Sequence, residues 1–251
     1  MLHWNLNALL TFAWLFLSAG MILLGIWLLI DCPINLSIIN QIIRYFDCQM
    51  QCAKSRDTSK FYFINFYIVT LLVNVILFIF NLSSFLLFSL FLLHIFRRLY
   101  ECLYVHQYVF QTNIDYLNYF LRLLHYPCVG LTIIMDYKYS LTQLTIRQAF
   151  LALILFFNAS YIQYNIHVTL AKQIHSNPDN SWIFNSYLCP NSLAEIAIYF
   201  SFYIASYRTS SMAALLVWIV LNQTSSALLN HRWYGHKLYS TKGHTLVPFI
   251  L

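Results

Sequence analysis

Apolar runs long enough to cross a bilayer, broken by short polar segments, set the pattern of this chain. Residues 9–30 carry no charge and are closed by Asp31 and Cys32-Pro33. At a helical rise of about 1.5 Å per residue, such a run covers the roughly 30 Å of hydrocarbon in a membrane. It is too long, and its start too poor in Lys and Arg, for a cleaved signal peptide. Residues 31–60 read as a polar loop. The uncharged stretch 61–96 holds two spans, 61–80 and 85–96, with Asn81-Leu82-Ser83-Ser84 as the turn between them and Arg97-Arg98 ending the pair. A fourth span near 118–135 contains Arg122 and His125, and a fifth, 148–171, is uncharged. Residues 192–207 form a shorter span that carries Glu195, and 209–229 is again free of charge. The pattern predicts an all-α integral membrane protein with about seven transmembrane helices, forming a single membrane domain over residues 1–251.

Composition strengthens that expectation. Hydrophobic residues make up 60% of the chain and charged residues only 9%, against about 25% charged in soluble domains. The net charge of +6 sits in loops, so it acts as an orientation signal and not as a nucleic-acid footprint. With the 31–60 loop placed inside, the inner segments hold Arg44, Lys54, Arg56, Lys60, Arg97, Arg98, Lys172, Arg232, Lys237 and Lys242. The outer ones hold only Lys138, Arg147 and Arg208. Cations favour the cytosolic side, which puts the C-terminus in the cytosol and the N-terminus in the lumen.

Two kinds of chemistry drop out. The six cysteines show neither zinc-knuckle nor disulfide spacing, and His231, His236 and His244 fit no zinc pattern, so no metal is predicted. Only five glycines are present, without a G-x-G-x-x-G or P-loop; a Rossmann fold does not hold any dinucleotide here.

Polar side chains inside the spans carry the candidate chemistry. Such groups are costly in hydrocarbon and mark pathways or sites, although one of them alone is more often an interhelical hydrogen bond worth about 0.6 kcal/mol. His94 lies at the inner end of the third span. Gln163 and His167, four residues apart, share a helix face near the inner end of the fifth, and Asn191 and Glu195 do the same at the start of the sixth. Asn222, Ser226 and Asn230 repeat every four residues along the seventh. Glu195 is one of only two glutamates, with Glu101. As the last span ends, Asn230-His231-Arg232-Trp233-Tyr234 reads as the floor of a site. This chemistry gathers at one leaflet, the cytosolic one.

These residues also form a family pattern. The tail His231-Arg232-Trp233-Tyr234-x-x-Lys237, with Val247-Pro248-Phe249-Ile250-Leu251 at the end, resembles the steroid 5α-reductase family. Five further segments resemble its polyprenol (polyprenal) reductase, or type 3, branch. They are Lys60–Tyr67, His94-Ile95-Phe96-Arg97-Arg98-Leu99-Tyr100-Glu101-Cys102, Gln163-Tyr164 with His167, Pro190-Asn191-x-Leu193-Ala194-Glu195, and Asn222-Gln223 through Ser226-Ala227. They occur in family order from about residue 60 onward.

The resemblance implies a seven-helix fold that binds NADPH from the cytosolic side and reduces a carbon–carbon double bond conjugated to a carbonyl. It places Gln163, His167, Asn191, Glu195, His231 and Tyr234 around the nicotinamide and phosphates. Arg98, Arg232, Lys237 and Lys242 are the expected phosphate counter-charges, and Glu195, Tyr234 and His94 are the expected catalytic groups. Hydride passes to the β-carbon, and a tyrosine or protonated carboxyl stabilises the developing enolate oxygen.

Three departures stand out. Steroid-reducing members carry a tyrosine where this chain has Ile95. The segment 175–182 lacks the Arg and Gly of the family's R-I-P-x-G, and Tyr239-Ser240-Thr241-Lys242-Gly243-His244 is a weaker basic clamp. The expectation is therefore an NADPH-dependent polyprenal/polyprenol reductase of the endoplasmic reticulum membrane, acting on a long polyprenoid lipid on the route to dolichol and N-glycosylation, with no obligate protein partner. The alternatives are a steroid or enoyl-thioester reductase and, outside enzymes, a seven-helix receptor or transporter.

Overall fold

The computed structural model describes residues 2–30, 53–54, 58–80, 85–105, 109–110, 116–139, 144–173 and 190–237. Among these there are seven helices: α1 (Leu2–Ile30), α2 (Thr58–Phe80), α3 (Phe85–Tyr104), α4 (Tyr116–Lys138), α5 (Ile146–Gln173), α6 (Pro190–Ala205) and α7 (Ser210–Lys237). The other regular structure is a two-residue parallel pairing of β1 (Ala53–Lys54) with β2 (Val109–Phe110). There is thus one helix for each apolar stretch of the sequence. Three helices contain a stretch long and apolar enough to cross a membrane by length and composition, Leu6–Leu23, Phe63–Phe80 and Ile146–Thr169.

Local chemistry sets several helix ends. Thr145 and Gln148 form a reciprocal cap at the start of α5, with the Thr145 amide donating to Gln148 Oε1 (3.0 Å) and the Gln148 amide to Thr145 Oγ1 (3.4 Å). Pro190 opens α6, where its missing N–H costs nothing. Several boundaries differ from the sequence reading, among them the start of α1 at Leu2 in place of residue 9. Helix α2 starts at Thr58, so the polar loop ends before residue 60. Helix α3 runs on past Arg97-Arg98 to Tyr104, because charge ends an apolar run but not a helix when Glu101 pairs with both arginines one turn on. Helix α7 likewise continues through the polar Asn230–Tyr234 segment to Lys237. The turn proposed at 81–84 lies outside the described residues.

Three of the main helix pairs are neighbours in sequence, α5 with α6, α2 with α3 and α6 with α7, while the first helix, α1, lies along the last, α7. Helix α3 also touches α4, α5 and α6, which brings three polar-bearing helices together. Beside that meeting point sits an aromatic core. Phe202 meets Phe91 edge-on at 6.0 Å and Phe156 at 5.8 Å, and all three are buried. Outward faces are apolar instead of polar: Phe16 is 79% exposed and Phe80 80%. That is the reverse of a soluble bundle and suits a hydrocarbon surround.

Two close fits hold the bundle. Gly130 on α4 faces Asn74 of α2, and a Cβ there would run into the Asn74 side-chain oxygen. Asp136 joins α4 to the α6–α7 link. Its carboxylate accepts from the Tyr207 amide (2.8 Å), the Thr209 amide (3.1 Å) and the Thr209 hydroxyl (2.7 Å). Between them Arg208 adopts a left-handed φ of 62°, a strained state for a side-chain-bearing residue that the two flanking hydrogen bonds hold in place.

Candidate functional site

A helix places residues i, i+3, i+4 and i+7 on one stripe. On α3 that stripe is His94, Arg97, Arg98 and Glu101; on α5 it is Ser160, Gln163 and His167, and on α6 Asn191 and Glu195. The three stripes face one another in a buried polar cluster.

Glu101 anchors one half. It is fully buried and accepts from Arg97 Nη1 at 2.6 Å and from Arg98 Nη1 at 3.1 Å. His167 Nδ1 lies 2.9 Å from the same carboxylate, and Arg98 Nη1 sits 3.3 Å from the His167 ring. Glu101 lies beyond the apolar part of α3. Burial by itself raises its carboxyl, but the hydrogen bond from His167 and the charges of Arg98 and Arg97 outweigh it and hold the group at about 2, against an ordinary 4.5.

Gln163 joins this half to the other. Its side-chain carbonyl accepts from Arg97, while its amide donates to Asn191 Oδ1 (3.0 Å) and Glu195 Oε2 (2.6 Å). Arg97 also reaches the Ser160 carbonyl at 3.3 Å. The second oxygen of Glu195 lies 3.4 Å from His94 Nε2, within ion-pair distance but without hydrogen-bond alignment. Glu195 keeps 12% side-chain exposure while His94 has none.

Of the residues the sequence singled out, His94, Arg98, Gln163, His167, Asn191 and Glu195 therefore come together. His231, Arg232, Tyr234 and Lys237 lie in the last turns of α7, where the side chains fall outside the described residues, as does Lys242 altogether. Asn222 Oδ1 and Ser226 Oγ are buried on α7 without a hydrogen-bond partner among the described residues, and neither joins the cluster. The sequence pattern marks Arg97 as the end of an apolar span and names Glu101 only as the second glutamate and as part of the His94–Cys102 family segment, so neither is a predicted site residue. Their i+3 and i+7 spacing from His94 was the signal that places them in the stripe.

The donor set defines what the cluster can hold. The Arg97 and Arg98 Nε–H groups and the Ser160 hydroxyl are buried with no hydrogen-bond partner among the described residues. Unmet buried donors are expensive, and guanidiniums are suited to a phosphate or carboxylate. Asn191 and Glu195 are amide and carboxylate groups of the kind that pair with a planar amide, while Gln163, both of whose amide hydrogens go to them, holds the pair in place.

Residues 128–251 match the family model described as 3-oxo-5-alpha-steroid 4-dehydrogenase. Among curated proteins, the polyprenal reductase of Saccharomyces cerevisiae is 32% identical over 63% of this chain and 61% of its own length. That of Homo sapiens is 33% identical over 67% of this chain and 60% of its own. That of Danio rerio is 29% identical over 78% and 80% respectively. The chain thus spans about 61% of the first of these relatives.

Proposed function

The chain belongs to the steroid 5α-reductase family, and from that premise we propose that it reduces the α-isoprene double bond of polyprenal or polyprenol with NADPH. One observation carries the reading. The family-pattern residues His94, Arg98, Gln163, His167, Asn191 and Glu195, distant in sequence, meet in one buried cluster. Similarity to proteins named polyprenal reductase supports the substrate class.

In this reading, Asn191 and Glu195, held in place by Gln163, take the nicotinamide carboxamide. The Nε–H groups of Arg97 and Arg98, without a partner among the described residues, meet phosphate or ribose oxygens, together with His231, Arg232, Lys237 and Lys242, and Tyr234 closes the cofactor site. When bound, the cofactor supplies the hydride. Glu101 fixes the two guanidiniums so that they need not reorganise, and His94 braces Glu195 from its far oxygen. The aromatic core beside the cluster excludes water from the reacting double bond.

The rest of the proposal follows the chain's apolar build. Residues 1–251 act as one membrane reductase domain crossing the endoplasmic reticulum membrane about seven times, with the N-terminus luminal and the C-terminus and active site cytosolic. The substrate is a long polyprenoid lipid whose tail stays in the bilayer, and the product feeds dolichol synthesis and protein N-glycosylation without an obligate protein partner.

The family model's own description keeps a steroid reading in play for residues 128–251. The deciding experiment presents polyprenal, a 4-ene-3-keto steroid and an enoyl thioester separately to purified protein in lipid vesicles with NADPH. Polyprenal turnover at least about tenfold above the other two supports the proposal. Steroid turnover alone moves the chain to the other branch.

A further inference from the structure

Tyr199 stands four residues, about one turn, after Glu195 on α6, about 6 Å along the axis, so Asn191, Glu195 and Tyr199 share a single face. Its side chain is only 3% exposed. Its hydroxyl lies 3.3 Å from Nε2 of His125 on α4, and its ring meets that of His94 edge-on at 6.1 Å. The other wall is aromatic, with Phe202 at 5.4 Å. A phenylalanine would fill this space without desolvating a hydroxyl. Ile95, next to His94, is fully buried and has no proton to give. His125 is half-buried, with its ring also against Trp14 at 5.7 Å, and it connects the Tyr199 hydroxyl to a neighbouring helix.

We propose that Tyr199 is the proton donor of the reduction and that His125 resupplies it. The assignment rests on the functional reading above. A reduced nicotinamide dinucleotide delivers hydride to the β-carbon of the enal and is itself oxidised. The C=C pair shifts to form a Cα=C bond, and the carbonyl pair moves to oxygen. The Tyr199 O–H bond breaks and its proton goes to that oxygen, giving an enol. The phenolate takes a proton from Nε2 of the His125 imidazolium, leaving a neutral imidazole that recovers a proton from solvent. Tautomerisation then moves the equivalent of the enol proton to Cα, so the substrate gains one hydride and one proton in all.

The test uses the full chain in phospholipid vesicles, with a short prenyl enal and NADPH. Tyr199→Phe is expected to lower kcat by about 100-fold or more, while NADPH affinity, read by fluorescence, and the melting temperature stay close to wild type. His125→Ala is expected to lose turnover similarly and to regain part of it with added imidazole. Retention of more than half the wild-type kcat by Tyr199→Phe overturns the assignment while leaving the functional reading intact. Loss of NADPH binding or of the melting transition in Tyr199→Phe, with no imidazole rescue of His125→Ala, makes the pair structural and also overturns it. If the wild type reduces no prenyl enal, the functional reading fails, and this assignment fails with it.

Discussion

Gln163 donates its side-chain amide to Glu195 across 2.6 Å while its carbonyl accepts from Arg97. One uncharged residue on α5 thereby separates a carboxylate on α6 from a guanidinium on α3 and satisfies both. Gln163→Leu leaves both charges and Asn191 short of a partner in a buried setting, a loss of about 3 kcal/mol. Thermal unfolding in detergent should show a clear drop in melting temperature. A variant as stable as wild type contradicts the bridging role.

Glu101 is the shared counter-charge of Arg97, Arg98 and His167. Glu101→Gln should destabilise the protein by about 3 kcal/mol, because two guanidiniums stay buried without their anion. A pH dependence follows. The group's folded value of about 2 lies below the ordinary 4.5, so its contribution is complete above 4.5 and fades as pH falls toward 2. Denaturant titrations between pH 6 and pH 3 should lose stability in the wild type and lose less in Glu101→Gln.

Gly130 sits where any side chain meets Asn74. Gly130→Ala should cost about 1–3 kcal/mol through overpacking of α4 against α2. Asn74→Ala in the same chain should restore much of that loss, since it removes the obstructing group. Melting temperatures of the two single variants and the double variant form the cycle that checks this.

Asp136 caps the α6–α7 link at the opposite end of α6 from the polar cluster. Asp136→Ala should speed amide exchange at Tyr207 and Thr209 and lower stability by about 2 kcal/mol. Hydrogen exchange read by mass spectrometry over 203–215 tests it. Unchanged exchange there means the cap is not what holds Arg208 in its left-handed state.

The helices were legible because uncharged runs of this length have few other uses, and their ends were less so. Arg97-Arg98 marks where α3 stops being apolar, yet the helix continues because Glu101 answers both charges. The four-residue spacings of Gln163 with His167 and of Asn191 with Glu195 pointed correctly to shared faces, and the structure brings those faces together. What spacing could not give was partnership between helices. Gln163 to Arg97 joins positions 66 residues apart, and His125 to Tyr199 positions 74 apart. Those pairings depend on which helix lies beside which, a property of packing that no local pattern encodes. The tail motif from His231 onward lies outside the described side chains.

The central claim is that the cluster around Glu195 is a reductase site. Its most direct test is NADPH-dependent reduction of polyprenal by the wild type and by Glu195→Gln in the same vesicles. The account predicts turnover in the wild type and a loss of about 100-fold in the variant, with the protein still inserted and folded. Full activity in Glu195→Gln, or no NADPH binding by the wild type, contradicts it.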